Sequence, residues 1–203
     1  MPFKKLVPVL KSNLAEMEIE EPTAFQKASI PVVKSGVNMF GTGEDLSGKT
    51  TSLIINTIHK LKAQAVEDSP RAVVYVANKD AALALELEFK KFTKGTDLRI
   101  YCVYEEAKLQ DQMDKIYPGV DIIISTTKRF NQIYFQNGVH LGQLQLLIVE
   151  DAEFLIKGEQ AQNIIRILQS LDRCQVLVYS KTTPPYLQRF KEAVLGKTRS
   201  INA

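Results

Sequence analysis

A short run in the first quarter of the chain reads Val37-Asn38-Met39-Phe40-Gly41-Thr42-Gly43-Glu44-Asp45-Leu46-Ser47-Gly48-Lys49-Thr50. It has the pattern of a short strand, a Gly-rich turn and the start of a helix. Residues 43–50 match G-x-x-x-x-G-K-[ST], the pattern of a phosphate-binding P-loop. Free backbone amides at a helix start bind anions, and the helix dipole strengthens that binding. We therefore expect a nucleotide site here; a Gly/Ser turn with a surface lysine is the alternative.

The side chains of this loop predict a nucleotide and Mg²⁺ as ligands. Lys49 would reach the terminal phosphates as a point charge, and the Thr50 hydroxyl would hold the metal ion. The predicted nucleotide-binding residues of the loop are Gly43, Glu44, Asp45, Leu46, Ser47, Gly48, Lys49, Thr50 and Thr51.

Length and composition narrow the class of protein. A chain of 203 residues that is 45% hydrophobic can bury the core of one large domain, or of two small ones at most. It has no apolar run near the ~18 residues of a membrane span, and its N-terminus is not that of a signal peptide. Cys102 and Cys174 lie in apolar, strand-like runs, which indicates reduced thiols in a cytoplasmic protein and excludes a zinc site. The net charge of +3 is too small to indicate nucleic-acid binding by itself.

Apolar strands alternate with helical patterns along the chain. After the strand that precedes the P-loop, strands are predicted at 71–77, 98–104, 120–125, 144–149, 174–180 and 198–202. Helices are predicted at 4–16, 24–34, 48–65, 81–92, 106–116, 128–135, 160–171 and 186–194. This pattern is typical of an α/β protein with one doubly wound parallel sheet and helices on both faces. Ligands bind beyond the carboxyl ends of such strands, which here carry residues 43–50, 77–80, 125–129, 150–153 and 180–182.

A second acidic site follows the most hydrophobic strand. Four apolar residues, 146–149, are followed by three carboxylates within four positions, at Glu150, Asp151 and Glu153. Carboxylates clustered beside a P-loop repel each other unless a cation lies among them, so we expect a metal ion and a water-activating group here. The alternative is a solvated turn that begins a helix with favourable acidic residues.

With these motifs in this order, the chain resembles the first RecA-like domain of DEAD-box RNA helicases over nearly its whole length. Residues 22–26, P-T-A-F-Q, resemble the Q motif of that family, in which the glutamine reads the adenine edge and the threonine assists. The resemblance implies that Gln26 and Thr23 select ATP. The alternative is a helix-capping box formed by the same two residues, and the two roles need not exclude each other.

The acidic run and the P-loop both depart from the family pattern. Residues 150–153, E-D-A-E, match D-E-A-D with each carboxylate exchanged. The resemblance implies that Glu150 holds Mg²⁺ and that Asp151 orients the attacking water, so that Lys49, Glu150 and Asp151 are the catalytic residues. A misplacement of about 1 Å can cost roughly 100-fold in rate, so binding should tolerate the exchange better than hydrolysis. Leu46 replaces a loop glycine, and a leucine with positive φ costs about 1–2 kcal/mol.

The remaining motifs are less well kept. Residues 180–182, S-K-T, resemble the S-A-T segment, which implies a coupling role for Ser180 and Thr182. Residues 77–81 replace P-T-R-E-L, residues 104–105 replace a Gly pair, and residues 125–129 replace G-T-P-G-R. Four side chains could still hold a phosphate backbone without reading bases, although Glu105 opposes this; they are Lys79, Thr126, Lys128 and Arg129. A solvated basic face is the alternative.

The resemblance implies an ATP-binding, DEAD-box-like RNA helicase domain that uses ATP and Mg²⁺ and binds RNA weakly and without sequence preference. We expect residues 1–203 to be one RecA-like domain without the second, which supplies an arginine finger worth about 10³–10⁵ in rate. Hydrolysis would then be weak, or would depend on a second domain or protein partner in trans. The alternative is a degenerate domain that acts as an interaction or nucleotide-sensing module. Leu46 and the acidic exchange favour the alternative, whereas Gln26 and residues 48–50 favour ATP binding.

Overall fold

Seven short strands form one parallel sheet in the computed structural model, which describes residues 2–202. In spatial order the strands run β3-β4-β2-β5-β6-β1-β7. Their bounds are β1 Asn38–Thr42, β2 Ala72–Tyr75, β3 Ile100–Val103, β4 Ile122–Ser125, β5 Leu146–Val149, β6 Gln175–Ser180 and β7 Thr198–Asn202. Strands β2, β4 and β5 are buried at every position, as expected for central strands that are covered on both faces.

Within residues 2–202, eight α-helices cover the sheet, four on each face. They are α1 Pro8–Glu16, α2 Ala24–Ser35, α3 Lys49–Lys60, α4 Lys79–Phe92, α5 Leu109–Ile116, α6 Thr127–Phe135, α7 Gly158–Gln169 and α8 Pro185–Val194. Apolar residues of α1 to α4 pack against one face of the sheet, and those of α5 to α8 pack against the other. Alternate residues of β2 divide between the two cores, with Val74 in the first and Val73 in the second. The predicted doubly wound fold is therefore confirmed.

Most differences from the predicted elements lie at their ends. Helix α3 stops at Lys60 rather than near residue 65, because Lys62 and Ala63 take left-handed φ values of 58° and 55°. The predicted helix 4–16 is divided: Pro2–Lys5 is a 3₁₀ turn, and α1 begins at Pro8, a residue suited to the first helical position. A further 3₁₀ turn, Ala152–Ile156, follows β5 where no element was predicted.

The strand order divides the carboxyl edge of the sheet into two parts. The neighbouring strands β5, β6 and β1 bring together residues 150–153, 180–182 and 43–50, which we call the P-loop edge. Strands β2, β4 and β3 bring together residues 77–80, 125–129 and 104–107, which we call the β3–β4 edge.

The opposite end of the sheet is fixed by a buried ion cluster. Asp121, just before β4, accepts from Arg71 Nη2 at 2.7 Å and from Arg99 Nε at 2.9 Å. Burial by itself would raise the pKa of Asp121, but the hydrogen bonds from Arg99 and Arg71 hold that pKa below its ordinary value. The cluster joins the starts of β2 and β4 and lies far from both parts of the carboxyl edge.

Two predictions from composition can be compared with the structure. Among residues 2–202, no helix is both long and apolar enough to cross a membrane. Cys102 is buried and Cys174 is half-buried, and both thiols are free. Burial raises the pKa of each thiol to about 12, so neither is an activated nucleophile.

Candidate nucleotide-binding site

The P-loop joins β1 directly to α3 and leaves backbone donors unused. Gly48 takes a φ of 86° just before the helix, and Leu46 takes a φ of 65°. The first helical amide with a backbone acceptor is that of Ser52, which donates to the Gly48 carbonyl at 2.8 Å. Within the described part of the chain, the amides of Lys49, Thr50 and Thr51 have no acceptor. Three free N–H groups at a helix start form an anion site.

An open cavity of about 310 Å³ lies over these amides. Its lining residues are Glu44, Asp45, Leu46, Gly48, Lys49, Thr50, Thr51 and Asp151. Seven of the eight belong to the P-loop, and the eighth comes from the acidic run after β5. Hollows of 580 and 830 Å³ lie at the opposite end of the strands, so chemistry rather than size distinguishes this cavity. No other segment of residues 2–202 fills it.

Lys49 folds back onto its own loop. Its ammonium donates to the carbonyls of Gly43 and Glu44, and the residue is only 7% exposed. Carbonyl oxygens are neutral acceptors, so a charged phosphate oxygen would be the stronger partner for this ammonium. The loop therefore fits a phosphate ligand, with Lys49 already inside the site.

The Q-motif residues pack directly on the P-loop. Thr23 Oγ1 donates to the Ser47 carbonyl at 2.8 Å, and Gln26 Nε2 donates to the Gly48 carbonyl at 3.5 Å. A Cβ at Gly48 would lie 2.8 Å from both side chains, which explains why glycine is needed there. Thr23 and Gln26 also form the predicted capping box of α2, so capping and loop contact coexist. Gln26 is 2% exposed, and its contact with the adenine edge stays a prediction.

Thr50 and Glu150 meet across the floor of the site. Thr50 Oγ1 donates to Glu150 Oε1 at 3.0 Å. Burial raises the pKa of Glu150 to about 7, although the Thr50 hydrogen bond and the charge of Lys49 act in the other direction. A hydroxyl and a carboxylate at this separation are the oxygen ligands that Mg²⁺ prefers, and a cation would stabilise the carboxylate charge. The pair therefore fits the predicted metal-binding role.

The three carboxylates after β5 do not converge on one point. Asp151, with a φ of 45°, lines the cavity, and burial is the main cause of its raised pKa. Glu153 turns away, and its Oε1 accepts from the amides of Lys181 at 2.6 Å and Thr182 at 3.3 Å. Among residues 2–202, no group of three or more His, Cys, Asp or Glu side chains could hold a metal ion. The expectation of one cation among all three acids is therefore wrong, and the Thr50–Glu150 pair is what remains.

The S-K-T segment is bonded to the P-loop by its backbone and by one side chain. Gly43 N donates to the Ser180 carbonyl at 3.2 Å, and Ser180 Oγ donates to the Thr182 carbonyl at 2.8 Å. Lys181 Nζ forms an ion pair with Asp45 Oδ2 at 2.7 Å. Sequence reasoning missed this pair. The signal that could have found it is a pair of opposite charges, Asp45 in the P-loop and Lys181 in the S-K-T segment, in two loops that the fold places side by side.

The β3–β4 edge looks different, because two of its four predicted phosphate ligands are already engaged. Thr126 Oγ1 donates to Glu105 Oε2 at 2.6 Å. Arg129 is 5% exposed, and its Nη2 donates to the carbonyls of Glu105 at 2.7 Å and Ala107 at 3.0 Å. The other two residues are not hydrogen-bonded in this way: Lys128 is exposed, and the half-buried Lys79 has its Nζ 5.2 Å from the centre of the Tyr104 ring. The RNA-binding role of all four residues stays a prediction.

A family model described as DEAD/DEAH box helicase matches residues 23–190, which include every motif placed above except Pro22 of the Q motif. The chain belongs to this family. Among its relatives, the ATP-dependent RNA helicase DBP10 of Meyerozyma guilliermondii is 29% identical over 188 residues, covering 92% of this chain and 21% of that protein. DBP10 of Yarrowia lipolytica is 30% identical over 92% of this chain and 20% of its own length. The ATP-dependent RNA helicase ddx54 of Dictyostelium discoideum is 29% identical over 182 residues, covering 89% of this chain and 17% of that protein. This DEAD/DEAH box chain thus spans about a fifth of the length of such relatives.

Solved structures of the same family share the fold. A DEAD box protein from the hyperthermophile Methanococcus jannaschii matches with a TM-score of 0.89 at 19% identity, covering 98% of this chain and 54% of that chain. S. cerevisiae dbp5, in a complex with nup159, gle1, IP6 and ADP, matches with a TM-score of 0.84 at 14% identity. The match covers 98% of this chain and 52% of that chain. The RecA-like fold of this DEAD/DEAH box chain is therefore shown.

Proposed function

We propose that this DEAD/DEAH box domain binds ATP and Mg²⁺ at the P-loop edge and is the first RecA-like unit of an RNA helicase. The observation that carries the proposal is the open cavity over three free amides at the start of α3, with Lys49 inside it. The relatives named ATP-dependent RNA helicase support both the nucleotide and the RNA.

Each residue of the site has a role in this proposal. Lys49 and the amides of residues 49–51 hold the phosphates, and Thr23 and Gln26 select adenine. Thr50 and Glu150 hold Mg²⁺, which when bound supplies positive charge to the phosphates. Asp151, which lines the cavity beside them, orients the attacking water. Ser180, whose carbonyl accepts from Gly43 N, and Thr182, which is bonded to Ser180, have the coupling role between the nucleotide and the RNA.

We infer that hydrolysis needs a group from outside residues 2–202. The cavity is lined by one buried cation, Lys49, and no arginine of the described residues lines it. An arginine finger is worth about 10³–10⁵ in rate at related sites. A second RecA-like domain, or a protein partner in trans, would supply it. Hydrolysis by these residues alone is therefore weak.

A second candidate function is a nucleotide-sensing module that does not grip RNA. The specific observation in its favour is Glu105, which engages Thr126 with its carboxylate and Arg129 with its carbonyl. In that case nucleotide binding is retained while RNA binding is lost. The two candidates share the P-loop site and differ only at the β3–β4 edge.

Titration of the purified chain with a fluorescent ATP analogue and Mg²⁺ tests nucleotide binding. We expect saturable binding and a rise in thermal midpoint, and we expect Lys49→Ala to weaken the affinity on the order of 100-fold, because it removes a charge-assisted contact to phosphate. Lys115→Ala, which removes an exposed lysine from α5, is the control and should bind as wild type. If wild-type protein shows neither binding nor a thermal shift at millimolar nucleotide, the proposal is wrong.

A further inference from the structure

Lys181 crosses from the end of β6 to the phosphate loop. Its backbone amide is fixed by Glu153 Oε1 at 2.6 Å, while its ammonium lies 2.7 Å from Asp45 Oδ2. Asp45 lines the nucleotide cavity, so the pair stands at the mouth of the site. The side chains are 46% and 71% exposed, which leaves both groups hydrated and the pair free to open.

The side chains that line the cavity carry more negative than positive charge, which is unfavourable for a polyphosphate. Glu44, Asp45 and Asp151 line the cavity, and Lys49 is the only cation among the lining residues described. Lys181 is within electrostatic range of Asp151 as well as Asp45, and its hydrogen bond is the main cause of the lowered pKa of Asp45. The ammonium of Lys181 is therefore held where it offsets the acidic side of the loop.

We propose that Lys181 is a second phosphate-binding cation of this site, kept near the loop by Asp45 and transferred to the bound nucleoside triphosphate. The inference rests on the proposed nucleotide binding. A bound triphosphate carries more negative charge than the single carboxylate of Asp45, and the loop already holds the phosphates in place, so the ammonium gains by moving. Lys181 lies between Ser180 and Thr182, so its movement toward a bound phosphate would also shift these two residues of the S-K-T segment.

A simpler role for Lys181 is to neutralise Asp45 without touching the nucleotide. The two roles differ when Asp45 is absent. If Lys181 only neutralises Asp45, its removal has no effect on nucleotide affinity in an Asp45→Asn background. If it binds phosphate, its removal still weakens affinity in that background.

The experiment is a double-mutant cycle on the affinity of the purified chain for a fluorescent ATP analogue with Mg²⁺. We expect Lys181→Ala to weaken binding about fivefold to tenfold, and Asp45→Asn to strengthen it about threefold, because the ammonium is then free and one repulsive charge is gone. In the Asp45→Asn background, Lys181→Ala should again weaken binding about fivefold or more. Lys157→Ala removes an exposed lysine beyond the acidic run and should leave affinity unchanged.

The outcomes separate this inference from the proposed function. No nucleotide binding by wild-type protein overturns both. Binding that depends on Lys49 but not on Lys181, or a loss from Lys181→Ala that vanishes in the Asp45→Asn background, overturns the inference alone. Thermal denaturation of each variant shows whether the fold is kept, and the exposed positions of both side chains make a wild-type midpoint the expected result.

Discussion

The P-loop edge and the β3–β4 edge lie side by side at the carboxyl ends of one sheet, yet their donors are in opposite states. At the P-loop edge the amides of residues 49–51 have no acceptor within the described chain, and Lys49 is held only by neutral carbonyls. At the β3–β4 edge the Thr126 hydroxyl and the Arg129 guanidinium are bonded inside the protein. The P-loop edge has free donors for an anion. At the β3–β4 edge, acceptors of the protein itself already occupy two of the donors.

The difference shows that backbone donors and side-chain donors respond differently to changes in sequence. Amides at a helix start cannot be satisfied by the helix itself, and at α3 the N-cap residue is Gly48, which has no side chain to cap them. A hydroxyl can be satisfied by one new side-chain acceptor, as the Glu105 carboxylate does for Thr126, while Arg129 is satisfied by main-chain carbonyls. A single acidic side chain is therefore enough to engage the Thr126 hydroxyl, whereas the amides of residues 49–51 stay without an acceptor in the described chain.

The largest effect on nucleotide affinity is expected from Gly48→Ala, which changes the backbone conformation of the P-loop. The φ of 86° disfavours alanine by about 1–2 kcal/mol, and the new Cβ would lie 2.8 Å from Gln26 Nε2 and Thr23 Oγ1. We expect the affinity for the ATP analogue to fall on the order of 100-fold or more, since the amides lose their alignment. Fluorescence titration measures this.

The matched control for that change is Gly142→Ala. A Cβ at Gly142 would meet nothing within 4 Å, and its φ is not left-handed. This variant should bind nucleotide as wild type, and RNA retention at low salt should be the same for both variants. Equal nucleotide affinity in Gly48→Ala and wild type would show that the loop geometry is not what binds.

The order of strands and helices followed from the sequence, because apolar periodicity and buried strand runs reflect the sheet directly. The P-loop, the capping box at Thr23 and the approach of Thr50 to Glu150 could also be expected, since parallel strands align their carboxyl ends. The left-handed turn at Lys62 could not, because neither glycine nor asparagine marks it.

Two side-chain pairs were also beyond the sequence. Thr126 and Glu105 are 21 residues apart, and Lys181 and Asp45 are 136 apart. Both pairs join loops of neighbouring strands, so the fold predicts that the loops are close but not which side chains meet. That choice depends on loop conformation and rotamers, which periodicity does not describe.

An intermediate effect is expected at the β3–β4 edge from Glu105→Ala. The change frees the Thr126 hydroxyl and removes a negative charge from a surface that also carries Lys79 and Lys128. We expect the affinity for a single-stranded RNA to rise about tenfold at low salt and to fall steeply as salt increases. Electrophoretic mobility shift or fluorescence anisotropy measures this.

Glu106→Ala is the matched control for this RNA experiment, since it removes the same charge from the next exposed position. Its gain in RNA affinity should be smaller, because it frees no hydroxyl. If the two variants bind RNA equally well, the Glu105–Thr126 contact does not occupy the site. If neither binds RNA at low salt, the nucleotide-sensing function is favoured over the helicase function.

The smallest effect on nucleotide affinity is expected from Leu46→Gly, which tests whether the strained backbone at Leu46 limits phosphate binding at the P-loop edge. Leu46 is fully exposed at a φ of 65°, so the change relieves about 1–2 kcal/mol of strain without any loss of packing. Glycine also increases the conformational entropy of the unfolded chain, which costs about 0.5–1 kcal/mol, so the net gain in stability is at most about 1.5 kcal/mol. We expect nucleotide affinity to rise roughly twofold to threefold, as the loop reaches its bound shape more readily. Leu46→Ala keeps the strained Cβ and removes only the bulk; an equal gain in that variant would show that the size of the side chain, and not its backbone conformation, limits entry to the phosphate site.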